Sequence, residues 1–121
     1  MKTNQSLLKS FGNAFAGIGH FFTHERNGQI HLVVTLVVLA AGLAFKIVTF
    51  EWLLILLCIA VVIGLEMFNS AIEKLCDMVE PNQHQTIKII KDVSAAAVLW
   101  ATIVSVIVGL IIFLPKAIQL L

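Results

Sequence analysis

Charged residues are scarce in this chain of 121 residues. They make up 12% of it, whereas hydrophobic residues make up 60%. A typical water-soluble domain has about 25% charged residues, and a chain of this length could not bury so much apolar surface in its own core. The mean hydropathy of +1.00 points the same way. The composition excludes a water-soluble domain and predicts an integral membrane protein.

Several other features are missing. The net charge is only +1 and no Lys/Arg cluster forms a stripe for phosphates, so nucleic acid is not an expected partner. The two cysteines, Cys58 and Cys76, fall in one helical run and are predicted to be reduced packing residues. Gly12 to Gly17 lacks the Lys-Ser/Thr of a P-loop, and no protein-kinase glycine loop is present. Any kinase activity would therefore need a different fold.

The apolar residues follow helical spacing. Leu7, Phe11 and Phe15 belong to an amphipathic pattern that predicts a surface helix over about residues 4–24, lying flat on a membrane. Three longer apolar runs predict membrane crossings at about residues 29–49, 51–77 and 87–115. We expect one all-α domain over residues 1–121.

Turn and stop signals set the predicted ends of these crossings. A short turn is expected around residues 49–51, with Trp52 as an anchor at the membrane interface. Pro81 marks a turn before the last crossing, which Pro115 and Lys116 are predicted to end.

The second crossing carries a polar stripe. At about 100° per residue, Glu66, Asn69, Glu73 and Asp77 fall within an arc of about 80°. An ionisable group facing lipid costs several kcal/mol, so the stripe should face the bundle, a partner or a wet cavity. The stripe is therefore the first place to look for function.

The carboxylates of this stripe could bind a metal ion and accept a proton. Two carboxylates one helical turn apart, with Glu25 entering from the membrane surface, could bind a hard cation such as Mg²⁺. A further carboxylate could accept a proton from an alcohol. Lys91 offers a point charge for phosphate, and His84 or Lys88 in the preceding loop could reach a polar ligand. These residues would let a charged nucleotide meet an alcohol dissolved in the membrane.

The basic residues predict an orientation. Six of them fall on the side of the polar stripe and two on the other, and the positive-inside rule then places the N-terminus in the cytoplasm. The six are Lys2, Lys9, Arg26, Lys74, Lys88 and Lys91, and the two are Lys46 and Lys116.

The residues alone leave other functions open. Glu66, Asn69 and Glu73 could simply hold helices together through hydrogen bonds of about 1 kcal/mol each. Lys91 and Asp92 could be an ordinary charge pair at a helix start. The stripe could also bind protons or cations in a small transporter or channel subunit, or the chain could be an accessory membrane protein. Transport does not explain why all these charges gather at one membrane face.

Two motifs then carry a resemblance. Residues 66–73 read Glu-Met-Phe-Asn-Ser-Ala-Ile-Glu and are followed by Asp77, and Lys91-Asp92 leads into Ser-Ala-Ala-Ala-Val at 94–98. Together with Glu-Arg-Asn at 25–27, they closely resemble the prokaryotic diacylglycerol kinase family, which includes diacylglycerol and undecaprenol kinases. The resemblance covers essentially the whole chain.

The resemblance implies a homotrimeric kinase in the bacterial inner (cytoplasmic) membrane that transfers the γ-phosphate of ATP to a lipid alcohol. It makes Glu66 the general base, supported by Asn69, and makes Glu25 and Glu73 the ligands of Mg²⁺. The nucleotide would be bound by a further set of residues. These are Glu73, Asp77, His84, Lys91 and Asp92.

One departure concerns the surface helix. Some members have an arginine and a tyrosine there that contact nucleotide, and the matching positions in this chain are Ser6 and Asn13. The triplet at 25–27 and the Phe-Leu-Pro-Lys end at 113–116 look more like the undecaprenol kinase branch.

Overall fold

The computed structural model describes residues 6–82 and 84–121, and within them the secondary structure is helical with no β-strand. The four helices are α1 (Leu7–His24), α2 (Arg26–Ala44), α3 (Thr49–Val79) and α4 (Gln85–Gln119). The all-α prediction is confirmed. Lys2 and the first two residues of the predicted surface helix lie outside the described residues.

Helix α1 is the predicted amphipathic helix. Ser6 caps it, because the Ser6 side chain accepts a hydrogen bond from the backbone N–H of Lys9 at 3.1 Å. Leu7, Leu8 and Phe15 are exposed, which leaves an apolar face without cover from the rest of the chain. Phe21 is buried against α2. Docking of the exposed face on a membrane stays a prediction.

The turn between α2 and α3 comes earlier than expected. Helix α2 ends at Ala44, Lys46 adopts a φ of 53° in the turn, and α3 already begins at Thr49. The prediction of a turn at residues 49–51 was wrong because Glu51 acts as a capping residue. Its carboxylate accepts a hydrogen bond from the backbone N–H of Val48 at 3.0 Å and so fixes the start of α3.

Helix α4 does not end at Pro115 but continues to Gln119. That prediction was wrong because proline removes a single donor from the helix, and membrane helices tolerate this loss when neighbouring groups satisfy the backbone. The Lys116 ammonium lies beside this turn and donates to the Ile112 carbonyl at 3.3 Å.

Each of the three long helices runs antiparallel to the long helix before it in the chain. Glu51 at the start of α3 pairs with Lys116 near the end of α4 at 2.8 Å, and Asp77 near the end of α3 pairs with Lys91 near the start of α4. Helix α2 reaches α3 closely at Gly42, where an added Cβ would lie 2.6 Å from the Trp52 ring. A side chain at position 42 would therefore require the Trp52 ring to move.

The apolar core lies at the end of the bundle near Glu51. Ile47, Ile55 and Ile112 are buried there, and Trp52 and Phe113 pack against them. Ile55 is eleven residues, or about 16 Å along the helix axis, from Glu66. The core thus anchors the end of α3 that lies away from the polar stripe.

Helices α2, α3 and α4 are each long and apolar enough to cross a membrane. Many of their large apolar side chains are exposed, including Leu57, Val61 and Leu110. Such a surface needs lipid or other subunits to cover it. The prediction of a membrane protein with three crossing helices is confirmed.

Candidate active site

Glu66 is a buried carboxylate within the bundle. It is only 4% exposed, on the part of α3 that faces the start of α2. Asn27 Nδ2 donates a hydrogen bond to Glu66 Oε1 at 2.7 Å, and His31 Nε2 lies 3.4 Å from Glu66 Oε2. The predicted inward orientation of Glu66 is found, and each of its oxygens has a polar neighbour from α2.

Asn69 lies one helical turn further along α3 and is 5% exposed. Within the part of the chain that the structure describes, its buried Oδ1 has no hydrogen-bond partner. Leaving such a buried acceptor without a hydrogen bond costs about 1–3 kcal/mol. An orphaned oxygen beside a buried carboxylate is a place where a ligand hydroxyl or a bound water can donate.

A cleft of about 280 Å³ opens beside these residues, and it brings both predicted Mg²⁺ ligands together. Its lining combines the α1–α2 corner with the end of α3. The lining residues are Glu25, Arg26, Asn27, Ser70, Glu73, Lys74 and Asp77. Asn27 thus belongs to the cleft and also touches the buried Glu66.

Glu25 is paired with Lys74 across this cleft, and the Lys74 ammonium donates a hydrogen bond to Glu25 Oε1. Glu25 is neither in α1 nor in α2 but forms the cap between them. The hydrogen bond from Lys74 lowers the pKa of Glu25 below its ordinary value, aided by the nearby positive charge. Glu25 is therefore an ionised carboxylate at neutral pH.

The cleft suits a cation that arrives with phosphates better than a metal held by protein alone. Within residues 6–82 and 84–121, no group of three or more His, Cys, Asp or Glu side chains is close enough to hold a metal ion. Mg²⁺ in phosphate-transfer sites typically takes only one or two carboxylates and completes its shell with phosphate oxygens and water. Glu25 and Glu73 fit that smaller ligand set.

A second cleft, of about 460 Å³, lies at the turn between α3 and α4. His84 and Lys91, two of the predicted nucleotide contacts, line it together with Lys88 and Glu80. The two clefts are linked, because Lys91 Nζ of the second donates to Asp77 Oδ1 of the first at 2.6 Å. A molecule long enough to extend from one cleft to the other would pass this ion pair.

Asp92 is oriented differently from Lys91. Asp92 Oδ2 accepts from Lys88 Nζ at 2.6 Å on the exposed surface of α4, while Lys91 reaches back to α3. Adjacent residues of a helix point about 100° apart, so they do not face each other. The interpretation of Lys91 and Asp92 as one charge pair was wrong.

Three residues of this region were not singled out as site residues from the sequence: Asn27, His31 and Lys74. The available signal was that Asn27 stands in the Glu-Arg-Asn triplet and His31 follows it by four residues, on the same face of α2. Lys74 offered no signal beyond its position after Glu73.

Glu66 and Asp77 lie at different depths along α3. Glu66 is 17 residues from the start of α3, or about 26 Å along its axis, and Asp77 is about 16 Å further. A bilayer hydrocarbon core is about 30 Å thick. If α3 enters the bilayer near Thr49, Glu66 lies close to the opposite interface and Asp77 lies outside it. Such an arrangement would suit a membrane protein that brings a lipid group and a water-borne group together.

Comparison with known proteins agrees with this class. Residues 12–113 match the family described as prokaryotic diacylglycerol kinase. The chain is 39% identical to the undecaprenol kinase of Bacillus subtilis over 110 residues, which are 91% of this chain and 89% of that one. It is 35% identical to the diacylglycerol kinase of a Synechocystis species over 117 residues, covering 96% of this chain and 67% of that one.

The chain belongs to the prokaryotic diacylglycerol kinase family. It is a membrane lipid kinase whose phosphoryl donor is ATP and whose acceptor is a lipid. The transporter alternative finds no support in these relatives.

Proposed function

We propose that this kinase transfers the γ-phosphate of ATP to the hydroxyl of undecaprenol, with Mg²⁺ as cofactor and Glu66 as general base. The observation that carries the proposal is the buried Glu66 carboxylate, which Asn27 connects by a hydrogen bond to a cleft lined by Glu25, Glu73 and Asp77. Feeding a lipid-carrier pool is the expected use of the product.

The reacting groups would meet near Glu66. The lipid hydroxyl would give its proton to Glu66 as its oxygen attacks the γ-phosphorus, and ADP would leave. Asn69 supports the proposal because its unpaired Oδ1 can accept a hydrogen bond beside the base. If α3 enters the bilayer near Thr49, both Glu66 and Asn69 would lie within reach of a membrane lipid.

The nucleotide would extend from the first cleft into the second. Asp77, His84 and Lys91 line these clefts, and the Lys91 ammonium could leave Asp77 for a phosphate. We also propose Asp92 as a nucleotide contact, for which its exposed position near the second cleft leaves access. Glu73 would serve both the nucleotide and the metal.

Glu25 and Glu73 would hold Mg²⁺ together with the phosphates of ATP. The ion would neutralise charge on the phosphates during transfer. The pairing of Glu25 with the Lys74 ammonium supports the proposal, because it keeps Glu25 ionised, as a metal ligand must be. Replacing Glu25 or Glu73 with Ala should raise the Mg²⁺ concentration needed for half-maximal activity. Unchanged Mg²⁺ dependence in both variants, with Glu51→Ala as control, would refute the metal role.

The choice of undecaprenol over diacylglycerol is a proposal based on relatives. The Bacillus subtilis relative, named an undecaprenol kinase, is the more similar of the two described, and its length matches this chain better. The Synechocystis relative, named a diacylglycerol kinase, matches 96% of this chain, but the match covers only 67% of its own length. This contrast favours undecaprenol as acceptor.

Assembly and orientation complete the proposal. We propose a homotrimer of single-domain subunits in a bacterial inner membrane, with the N-terminus in the cytoplasm. Ala95, Ala96 and Ala97 are exposed on α4, and small residues allow close approach of helices from neighbouring subunits. A cytoplasmic N-terminus would place both clefts on the side from which ATP comes.

The deciding experiment is phosphate transfer from radiolabelled ATP by purified protein in mixed micelles. Undecaprenol, diacylglycerol and a lipid without a hydroxyl are offered separately, with and without Mg²⁺. We expect labelled product chiefly from undecaprenol and only with Mg²⁺. Preferential labelling of diacylglycerol would overturn the lipid assignment, and equal rates without Mg²⁺ would overturn the cofactor.

A further inference from the structure

Two side chains of α2 contact the carboxylate of Glu66, and the reaction scheme above gives neither a role. Asn27 Nδ2 lies 2.7 Å from Glu66 Oε1, a short and well-formed hydrogen bond between residues 39 positions apart in sequence. His31 Nε2 lies 3.4 Å from Glu66 Oε2, and a shift of about 0.5 Å would make this contact a hydrogen bond. Each carboxylate oxygen thus has its own neighbour.

We propose that Asn27 and His31 are positioning residues for phosphoryl transfer, which hold the Glu66 carboxylate in the orientation that accepts the proton of the lipid hydroxyl. The inference rests on the proposed role of Glu66 as base. It assigns the two α2 residues a part in turnover rather than in substrate binding.

The spacing of the two residues suits this role. Asn27 and His31 stand at i and i+4, so they lie one above the other on one face of the first turns of α2. A carboxylate held from one side at both oxygens loses its freedom to rotate, and each oxygen still keeps one lone pair for a second partner. The lone pairs that remain are those available to a hydroxyl entering from the cleft or the membrane.

The position of Asn27 links the base to the cleft. Asn27 lines the cleft that contains Glu25 and Glu73, whereas Glu66 is buried behind it. The hydrogen bond from Asn27 therefore fixes the position of the Glu66 carboxylate relative to the cleft in which the phosphates would lie. Displacing a reacting group by about 1 Å can cost about 100-fold in rate.

The step is balanced without further reactants. The proton passes from the lipid hydroxyl to Glu66 while the lipid oxygen forms a bond to the γ-phosphorus. The bond from that phosphorus to the bridging oxygen breaks, and ADP carries away the electron pair. Glu66 then releases its proton to water. Asn27 and His31 exchange no proton in this scheme.

The test compares substitutions that remove one donor with as little change of shape as possible. Asn27→Asp keeps the size of the side chain and replaces the donor with an acceptor, whereas His31→Gln retains an N–H and His31→Leu does not. We expect Asn27→Asp and His31→Leu to lower kcat by about tenfold or more. The KM for ATP and for lipid should stay within about twofold, and His31→Gln should recover most of kcat.

A double-mutant cycle separates this role from simple helix packing. In a Glu66→Gln background, Asn27→Asp and His31→Leu should cause no further loss, because the base that they position is gone. Equal losses in both backgrounds, or unchanged kcat in the single variants, would overturn the inference.

A high residual rate in Glu66→Gln alone would instead refute the base itself. Thermal unfolding in detergent monitors folding of each variant. If His31→Leu does not fold, Asn27→Asp in the two backgrounds still decides the question.

Discussion

Glu25, Glu51 and Glu66 differ in burial and in their partners, and these differences indicate different roles. Glu51 caps α3 and pairs with Lys116 at the end of the bundle away from the clefts. Glu25 lies at a helix junction and pairs with Lys74. Glu66 is buried, and among the residues that the structure describes its basic neighbour is the histidine His31. Glu66 is held by a hydrogen bond from Asn27, whereas Glu25 and Glu51 are each held by a lysine ammonium, which leaves Glu66 as the proposed general base.

Replacing Glu66 with Gln should therefore abolish most turnover while leaving the fold largely intact. The amide has the same shape but cannot take up the proton of the lipid hydroxyl, and loss of a general base costs about 100-fold to 10,000-fold. The measurement is kcat with saturating ATP and lipid, together with thermal unfolding. Glu51→Gln is the matched control and should keep near-normal kcat, because Glu51 lies far from the clefts. A Glu66→Gln enzyme with wild-type kcat would contradict the assignment.

Acid should weaken the folded state through Glu25. The pKa of Glu25 is lowered in the folded protein by Lys74, so this pair stabilises the protein above the ordinary pKa of 4.5. That stability is lost as the pH falls from 4.5 through the lower folded pKa. In Lys74→Met the loss should shrink, and the unfolding temperature should vary less with pH in this range.

Thermal unfolding of both proteins in detergent at pH about 6 to about 3 measures the effect. Lys88→Met is the control, since Lys88 pairs with Asp92 instead. Parallel pH profiles for wild type and Lys74→Met would contradict the prediction.

The candidate site could be predicted in part because four of its residues lie on one helix. The spacing of Glu66, Asn69, Glu73 and Asp77 fixes their common face without any tertiary information. The partners of these residues could not be predicted in the same way. Asn27–Glu66 and Lys74–Glu25 join residues 39 and 49 positions apart, and their contact depends on how far each helix is rotated and shifted against its neighbour.

At the scale of elements, the helices were predicted more reliably than their ends. Apolar length shows where a helix crosses a membrane, but an end depends on single interactions. The Glu51 cap starts α3 at Thr49, and a tolerated proline lets α4 continue to Gln119. Neither interaction is visible in a hydropathy pattern.

The corner between α1 and α2 depends on Gly28. A Cβ at this position would overlap the backbone carbonyl oxygen of Phe21, which a flexible side chain could not relieve. We expect Gly28→Ala to destabilise the protein by about 1–3 kcal/mol. Since Glu25 and Asn27 flank this corner, kcat should fall as well.

Gly12→Ala is the matched control, because no heavy atom lies within 4 Å of an added Cβ at Gly12 on the exposed part of α1. It should leave activity unchanged and stabilise α1 by up to about 1 kcal/mol. Thermal unfolding and kcat of the two variants decide the matter, and equal stability of both would show that the corner can relax.

At the scale of the whole molecule, the two ends of the bundle differ in charge and in packing. One end contains the apolar core and the Glu51–Lys116 pair. The other contains both clefts with their carboxylates and lysines. The two ends of the bundle therefore differ in polarity, and this difference favours one orientation in a membrane.

Site-specific labelling should reveal that orientation. If each of the three long helices crosses the bilayer once, Ser6 before α1 and Leu121 after α4 would lie on opposite sides. Because most lysines and the single arginine fall at the cleft end, the positive-inside rule places Ser6 in the cytoplasm and Leu121 outside. In a bacterial host, a membrane-impermeant maleimide should label Leu121→Cys in intact cells and Ser6→Cys only after the cells are opened. Both are made in a background in which Cys58 and Cys76 are replaced by Ala. The reverse pattern would place the clefts away from cytoplasmic ATP and would contradict the proposed kinase topology.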